Sequence, residues 1–135
     1  KVYVHKEEAR ELGVPKSYSM PSENGTQVKL GDITIELIHT PGHTVGSQCF
    51  FVRDKLISGD TLFIGTCGRT DFPGGSPEEM YKSLHDRLGN LPDGTILLPG
   101  HNYSGTPTST LGDQRKQNPY MLTQSLSEFL SMVGR

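Results

Sequence analysis

The sequence has few of the features that mark specialised classes of protein. It contains no tryptophan and only two cysteines, Cys49 and Cys67, among 135 residues. Two cysteines without a Cys-x-x-Cys pair exclude a disulfide framework and favour a reducing compartment, so we expect the cytoplasm. No segment approaches the ~20 consecutive apolar residues of a membrane-spanning helix. The formal net charge is only −2, with both signs mixed along the chain, which argues against binding of nucleic acid or of an anionic membrane.

Glycine and proline, by contrast, are abundant at 16 and 9 residues, and they divide the chain into short elements. Alternating apolar runs on either side of Gly31-Asp32 predict a β-hairpin. The segment SQCFFVRDKLISG predicts a second hairpin, with its turn at Asp54-Lys55. The continuous apolar segment TILL, at 95–98, is typical of a buried strand.

The clearest helix signal begins at Ser76. Ser76 and Pro77 suit the N-cap and the first helical position, and Met80, Leu84 and Leu88 follow at helical spacing. Further helices are predicted at 6–12, 109–117 and 122–133, with loops at 14–26 and 65–75. Because strands and helices are mixed, we expect a single α/β or α+β domain over residues 1–135.

Three stretches share one local pattern, in which an apolar segment leads into a glycine turn and then into a side chain that can bind metal. They end at His43, Asp60 and His101. Two imidazoles and one carboxylate suit zinc, iron or manganese, and they match the ligand set of non-haem iron(II) sites. We expect the three to converge within about 10 Å, as ligands of one or two adjacent metals must. From the residues alone, the alternative that each side chain only closes a turn stays open.

Four motifs carry a resemblance to a known family. TPGHTVG, SGDTLF, TCGRTDF and LPGHNY resemble the later motifs of the metallo-β-lactamase superfamily, in the same order. The most similar branches are glyoxalase II (hydroxyacylglutathione hydrolase) and persulfide dioxygenase. The resemblance implies an αββα sandwich, of which this chain would form half: a mixed sheet with flanking helices.

The resemblance also implies roles for the three candidate ligands. His43 matches the histidine of the third metal motif, and His101 matches the last histidine, which binds the second metal in dinuclear members. Asp60 matches the carboxylate that bridges two metals, or that binds the single iron of the dioxygenases. The family's first motif, His-x-His-x-Asp-His, does not occur in this sequence. We therefore expect residues 1–135 to be the C-terminal part of the fold, with Zn(II) or Fe(II) weakly held or absent.

The implied activity is metal-dependent hydrolysis of a glutathione thioester or a related small thiol derivative. One alternative is an iron-dependent persulfide dioxygenase, and another is a catalytically incompetent remnant or a module that depends on a partner. In each case we expect this chain alone to be inactive, because most ligands of a complete metal site are missing.

Four further residues are candidates for supporting roles. Tyr103 and Arg115 are candidates for contact with a substrate carboxylate or thiol. The alternatives are that Tyr103 packs and that Arg115 is a solvated helix charge, and for Arg115 this alternative is favoured. Arg69 and Asp71 are expected to form a buried pair that fixes the glycine-rich loop beneath the metal. Cys67, in the same loop, has no adjacent His or Lys in the sequence to lower its pKa and is expected to be an unreactive filler.

The expected partner is either a second copy of the chain or the missing N-terminal half. The segment KVYV begins with no turn or cap before it, so we expect a strand with an unpaired edge. The apolar runs ITIELI, CFFV, KLIS and TILL would present a sheet face that half a sandwich leaves uncovered. Both features favour a homo-oligomer.

Overall fold

Both predicted hairpins form, and the other elements are arranged around them. The computed structural model describes residues 1–134. Its strands are β1 (Val2–His5), β2 (Ser19–Ser22), β3 (Thr26–Leu30), β4 (Ile33–His39), β5 (Gln48–Val52), β6 (Lys55–Gly59), β7 (Leu62–Phe63), β8 (Thr66–Cys67), β9 (Ile96–Pro99) and β10 (Ser109–Thr110). Its helices are α1 (Pro77–Lys82), which continues as a π-helix (Ser83–Arg87), α2 (Leu111–Gln117), α3 (Pro119–Leu122) and α4 (Leu126–Met132).

Six strands form one mixed sheet in the order β10-β9-β6-β5-β4-β3. The pair β6–β9 is parallel, and the other neighbours are antiparallel. The segment between β6 and β9 carries α1 and crosses over the sheet, as a parallel connection requires. The turn between β5 and β6 lies one residue earlier than predicted, at Arg53-Asp54, and Arg53 has a φ of 55°.

The helices cover one face of this sheet. Cys49, Leu56 and Leu97 lie on that face and are fully buried. They form one core with the predicted helical residues Met80, Leu84 and Leu88, together with Leu111 and Phe129. The Ser76 hydroxyl accepts a hydrogen bond from the Glu79 amide, and this N-cap starts α1 where the sequence predicts it.

The opposite face of the sheet is also apolar but is incompletely covered. Its residues follow from the pairing register, which aligns Leu37 with Phe50, Phe50 with Ile57, and Ile57 with Leu98. Leu37 is buried, but Phe50 and Leu98 are partly exposed and Ile57 is 43% exposed. The sheet therefore has a second surface suited to packing, most of which the described residues do not cover.

The strands β1 and β2 form a separate parallel pair that docks on the His39 end of β4. The imidazole rings of His5 and His39 stack with their centroids 3.7 Å apart and their planes 10° apart. Beside them, the Ser22 hydroxyl donates a hydrogen bond to Gln48 Oε1 at 2.9 Å. We name this pair, with the connecting residues 6–18, the β1–β2 unit.

Four sequence predictions need correction in this region and at the C-terminal end. The first strand is paired with β2 on one side, so its predicted free edge is half covered. The predicted helix at 6–12 is a series of turns, and the predicted loop at 14–26 contains β2. The last helix begins at Leu126 because Thr123 is extended and Ser125 provides a new N-cap.

Within residues 1–134, no helix combines the length and the apolar character needed to cross a lipid bilayer.

The stacked histidines predict a pH-dependent stability. Burial, and to a lesser extent the charge of His39, lowers the pKa of His5 below its ordinary value of 6.5. The folded state therefore binds fewer protons than the unfolded state just below pH 6.5, so the free energy of unfolding falls as the pH drops through that window. We expect urea midpoints to decrease from pH 7.5 to 5.5, and His5→Gln to reduce that decrease.

The matched control is His85→Gln, whose ring lies away from the stack, against Tyr81 and Thr123. It should keep the wild-type difference between the two pH values. An undiminished pH dependence in His5→Gln would show that the stack does not control stability.

We propose that a second copy of the chain covers the open sheet face in solution. Burying roughly 500 Å² of apolar surface per chain contributes on the order of 12 kcal/mol before the costs of association. Light scattering after size exclusion at micromolar concentration should therefore give a dimer or a larger species. Ile57→Lys, on the open sheet face, should shift the protein to a monomer. Leu122→Lys, at a residue of α3 that is 48% exposed, is the control and should leave the oligomer unchanged. A monodisperse wild-type monomer that melts cooperatively would contradict this proposal.

Candidate metal centre

The parallel pairing of β6 and β9 brings Asp60 and His101 together. Both residues follow the carboxyl ends of these strands, where Gly59 is aligned with Pro99. The Gly100 amide donates a hydrogen bond to the Gly59 carbonyl at 2.8 Å. A Cβ atom at Gly100 would lie only 2.8 Å from Asp60 Oδ1, so a glycine is needed for this close approach.

His43 comes from the loop between β4 and β5, which is fixed against α1. The Ser76 amide donates to the Gly42 carbonyl at 2.8 Å, and the Ser83 hydroxyl donates to the Pro41 carbonyl at 2.7 Å. Gly42 has a φ of 144°, and a Cβ there would lie 2.6 Å from the Cα of Met80. The predicted Pro41-Gly42 turn thus positions His43 through direct contact of the loop backbone with the helix.

The ring of His43 has a defined orientation. Its Nδ1 lies 2.8 Å from the carbonyl oxygen of Arg69. Because a carbonyl can only accept, Nδ1 carries the proton of this bond, and in the neutral ring Nε2 holds the lone pair. Nε2 faces Asp60 Oδ2 at 3.5 Å, so the nitrogen that can bind a metal is directed at the carboxylate.

The three predicted ligands therefore meet around Asp60. The two oxygens of its carboxylate have different partners: Oδ2 faces His43, and Oδ1 lies 2.6 Å from His101 Nδ1. The exposed fractions of the side chains are 18% for His43, 32% for Asp60 and 55% for His101. The convergence matches the geometry expected from the sequence.

Metal binding by these three residues stays a prediction. Within residues 1–134, no set of three or more His, Cys, Asp or Glu side chains is placed to hold one metal ion. Two ligands about 2.1 Å from one ion lie about 3.0–3.4 Å apart in octahedral or tetrahedral geometry, and the 3.5 Å between His43 Nε2 and Asp60 Oδ2 is close to that range. The 2.6 Å between His101 and Oδ1 is a direct hydrogen bond with no room for an ion. The residues present thus fit part of a ligand set.

A cleft of about 480 Å³ opens at this cluster. Its walls are mainly aromatic: Phe72 meets the His43 ring edge-on at 5.3 Å, and Phe63 meets the His101 ring edge-on at 5.8 Å. Tyr103 lines the cleft, is 73% exposed, and lies parallel to His101 with 5.9 Å between ring centroids. Tyr103 therefore lies at the cleft, and its contact with a substrate stays a prediction.

Arg69 and Asp71 form the predicted ion pair through two hydrogen bonds of 2.6 and 2.7 Å. The pair is exposed rather than buried, with 62% and 67% of the side chains accessible. The Arg69 guanidinium also lies 4.2 Å over the ring of Phe72. Since the carbonyl of Arg69 accepts from His43, the loop supports the site through its backbone, while its side chains lie at the cleft entrance.

The structure places Arg115 away from the cleft. Its guanidinium pairs with Asp93 and donates to the carbonyls of Leu88, Gly89 and Leu91. These carbonyls follow the π-helix, where the backbone leaves acceptors without helical partners. Arg115 therefore ties α2 to the end of the preceding helix, and the predicted substrate contact has no support from its position.

Two buried amides with a role at the cleft were not predicted. Asn118 Nδ2 donates to the carbonyls of Phe63 and Thr66, and Gln114 Oε1 accepts from the Gly65 amide at 2.8 Å. Both side chains are almost fully buried, and together they hold the β7–β8 hairpin that forms one wall. Neither residue has a local sequence signal for this role, because the partners lie 49 to 55 residues away along the chain.

Comparison with known proteins agrees with the motifs. The sequence profile described as the metallo-beta-lactamase superfamily matches residues 2–101. This chain belongs to that superfamily. Its mixed sheet with flanking helices is the fold predicted from the resemblance.

Three related proteins illustrate the relationship. Human mitochondrial persulfide dioxygenase ETHE1 is 37% identical over 114 residues, which cover 83% of this chain and 44% of the relative. The Bacillus subtilis probable metallo-hydrolase YqgX is 41% identical over 101 residues, covering 73% and 46%. The crystal structure of ETHE1 from Myxococcus xanthus aligns with a TM-score of 0.80 and 32% identity, covering 84% and 51%. The chain thus spans about half the length of these relatives. Its cytoplasmic location stays a prediction.

We expect both thiols to be unreactive in the folded protein. Burial raises the pKa of Cys67 to about 12 and that of Cys49 to about 11, so the reactive thiolate is scarce near neutral pH. Ellman's reagent at pH 8 should label neither cysteine until denaturant is added. Thr108→Cys, at an exposed loop position, is the positive control and should react at once. Rapid labelling of Cys67 in the native chain would show that the cleft activates it.

Proposed function

We propose that this chain forms the metal-binding edge of an enzyme that acts on a sulfur-bearing derivative of a small thiol such as glutathione. We further propose that the reaction is oxidation of a persulfide at a single iron. The relatives alone do not choose between this reaction and hydrolysis, because their names include both a dioxygenase and a probable metallo-hydrolase. The geometry at Asp60 favours the oxidation.

The supporting observation is the unequal use of the two oxygens of Asp60. Oδ2 and His43 Nε2 are 3.5 Å apart, close to the spacing of two ligands of one ion. Oδ1 is hydrogen-bonded to His101 Nδ1 at 2.6 Å, so His101 supports the carboxylate instead of binding a second metal. Such an arrangement suits one metal ion, as in the two-His-one-carboxylate sites of non-haem iron.

Under this proposal, His43 and Asp60 provide two of the ligands, and a further histidine comes from outside residues 1–134. When bound, the iron supplies the redox chemistry by which O2 oxidises the persulfide sulfur. The chain's own residues keep the ligands in place: the carbonyl of Arg69 fixes the His43 tautomer, and the His101 hydrogen bond orients Asp60.

The cleft suits a substrate with an apolar or thioether-like portion and polar ends. Phe63 and Phe72 provide aromatic walls next to the two histidines. The Tyr103 ring lies at the cleft opening and is largely exposed, so its hydroxyl is accessible to a carboxylate or thiol group. A small thiol derivative would thus place its sulfur near Asp60 and its polar ends near Tyr103.

The second candidate function is hydrolysis of a glutathione thioester. It is favoured by the 41% identity to the Bacillus subtilis probable metallo-hydrolase. In that case a metal ion supplies Lewis acidity for the thioester carbonyl. A dinuclear site would require His101 to leave Oδ1 and to turn towards a second ion.

Catalysis is expected only when the missing ligands are supplied. The test compares the 135-residue chain with a chimaera in which the N-terminal half of the Myxococcus xanthus relative precedes Lys1. The chain alone, reconstituted with Fe(II) or Zn(II), should show no turnover near the ~10 per second typical of enzymes. The chimaera should bind one Fe(II) and consume O2 when glutathione persulfide is added.

His101→Asn separates the two reactions. The asparagine amide can still donate to Asp60 Oδ1, so a site with one iron should retain oxidation within about tenfold, because the donor to this carboxylate oxygen is replaced and not removed. A dinuclear hydrolase would instead lose its second metal. Two bound metals and hydrolysis of an acylated glutathione, without O2 consumption, would establish hydrolysis in place of our proposal. A chimaera that binds metal but does neither reaction would favour an incompetent remnant.

A further inference from the structure

We propose that Glu8 is a positioning residue for His43. It acts through the backbone of the loop between β4 and β5 and does not touch the metal or the substrate. The inference rests on the proposed function only in assuming that His43 is a metal ligand; the contacts that carry it belong to the metal-free chain.

The direct contact joins Glu8 to Gly46, across 38 residues of sequence. The Gly46 amide donates a hydrogen bond to Glu8 Oε1 at 3.0 Å. The Glu8 side chain also lies flat against Gly46, since a Cβ atom there would be 2.7 Å from Glu8 Cγ and 2.8 Å from Cδ. No other residue type fits at position 46 without displacing Glu8.

The loop around His43 is held at its two ends by different parts of the fold. At Pro41-Gly42 it is bound to the start of α1 and to Ser83, as described above. Thr44, between these ends, and Ser47, just beyond the second, bond within the described part of the chain to each other and to neighbouring loop atoms. The end at 45–46 is therefore the part whose position depends on the β1–β2 unit.

That unit reaches the loop by two routes. Glu8 accepts from the Gly46 amide, and His39, on which His5 stacks, uses its Nε2 to donate to the Val45 carbonyl at 2.8 Å. Both polar groups of the Val45–Gly46 peptide bond are thus held, the carbonyl by His39 and the N–H by Glu8. The stack fixes the unit on β4, and Glu8 extends that support to the loop.

Space is available for the loop to move when this support is lost. A cavity of about 300 Å³ separates β1 from the loop, and its walls include Glu8, Gly46, His43 and Asp60. Without the Glu8 carboxylate, the Gly46 amide would lose its acceptor and the loop could relax into this cavity. Because His43 lies three residues away, its ring would no longer be directed at Asp60 by a fixed backbone.

The test is NMR spectroscopy of the metal-free 135-residue chain with four substitutions. Glu8→Ala removes the acceptor, and Glu8→Asp keeps the charge but shortens the reach by one methylene. Glu8→Gln keeps an acceptor oxygen at the same position. Glu23→Ala is the matched control, since it removes another carboxylate beside the β1–β2 unit, one that pairs with Lys6.

In Glu8→Ala and Glu8→Asp, exchange of the Gly46 amide should accelerate about tenfold or more, the size expected for loss of a hydrogen bond to a charged group. The ring nitrogens of His43 should shift away from a single tautomer. Glu8→Gln should accelerate exchange clearly less than Glu8→Ala, by about half as much on a logarithmic scale, since a neutral acceptor retains roughly half the strength of such a bond. Glu23→Ala should leave both readouts unchanged.

Two outcomes would overturn the proposal. In one, the His43 ring signals are the same in Glu8→Ala and in the wild type. In the other, amide exchange in Glu8→Ala accelerates equally at Val4 and at Gly46, which would make Glu8 an anchor of the β1–β2 unit alone. Comparing the Val4 and Gly46 amides in Glu8→Asp repeats this test with a smaller change of the side chain. A separate Co(II) titration of the chimaera that supplies the missing ligands tests whether His43 binds metal. Its failure would count against the proposed function and leave the positioning result intact.

Discussion

The candidate site depends on the pairing of two parallel strands, β6 and β9. Parallel neighbours end at the same edge of a sheet, so the residues that follow them must meet. Here Asp60 and His101 follow them, and the hydrogen bond between Gly100 and Gly59 brings the two backbones together. The helix between the strands then supports the loop that carries His43. The topology therefore assembles three side chains that are 17 and 41 residues apart along the chain.

Close backbone contacts keep this assembly in register. At Gly42, Gly46 and Gly100, a side chain would collide with a helix, with Glu8 or with Asp60, respectively. The orientation of the two imidazoles is set by acceptors next to them: the carbonyl of Arg69 for His43 and the carboxylate of Asp60 for His101. The geometry of the candidate ligands thus comes from rigid backbone and fixed acceptors, while the aromatic walls and Tyr103 line the cleft beside them.

Much of this arrangement could be predicted from local sequence. The hairpins follow from alternating apolar residues and turn residues, and the start of α1 follows from Ser76 and Pro77, because these signals act within a few positions. The convergence of His43, Asp60 and His101 is predicted by two signals together: the pattern that glycine turns at strand ends share, and the resemblance of the motifs to those of the superfamily. Arg115 could not be placed in this way, since its partners lie 22 to 27 residues away. The same holds for Glu8, Asn118 and the parallel pairing of β1 with β2, which depend on tertiary contacts without a local signal.

The position of the short helix α2 affects both the wall of the cleft and the support of His43. Adjacent residues of α2 hold two different parts of the site: Gln114 bonds to the β7–β8 hairpin, and Arg115 bonds to the segment that ends the π-helix. The same π-helix holds the His43 loop through Ser83. A small tilt of α2 would therefore displace the hairpin wall and the support of His43 together. The width of the cleft and the orientation of His43 are coupled through α2, a helix of seven residues.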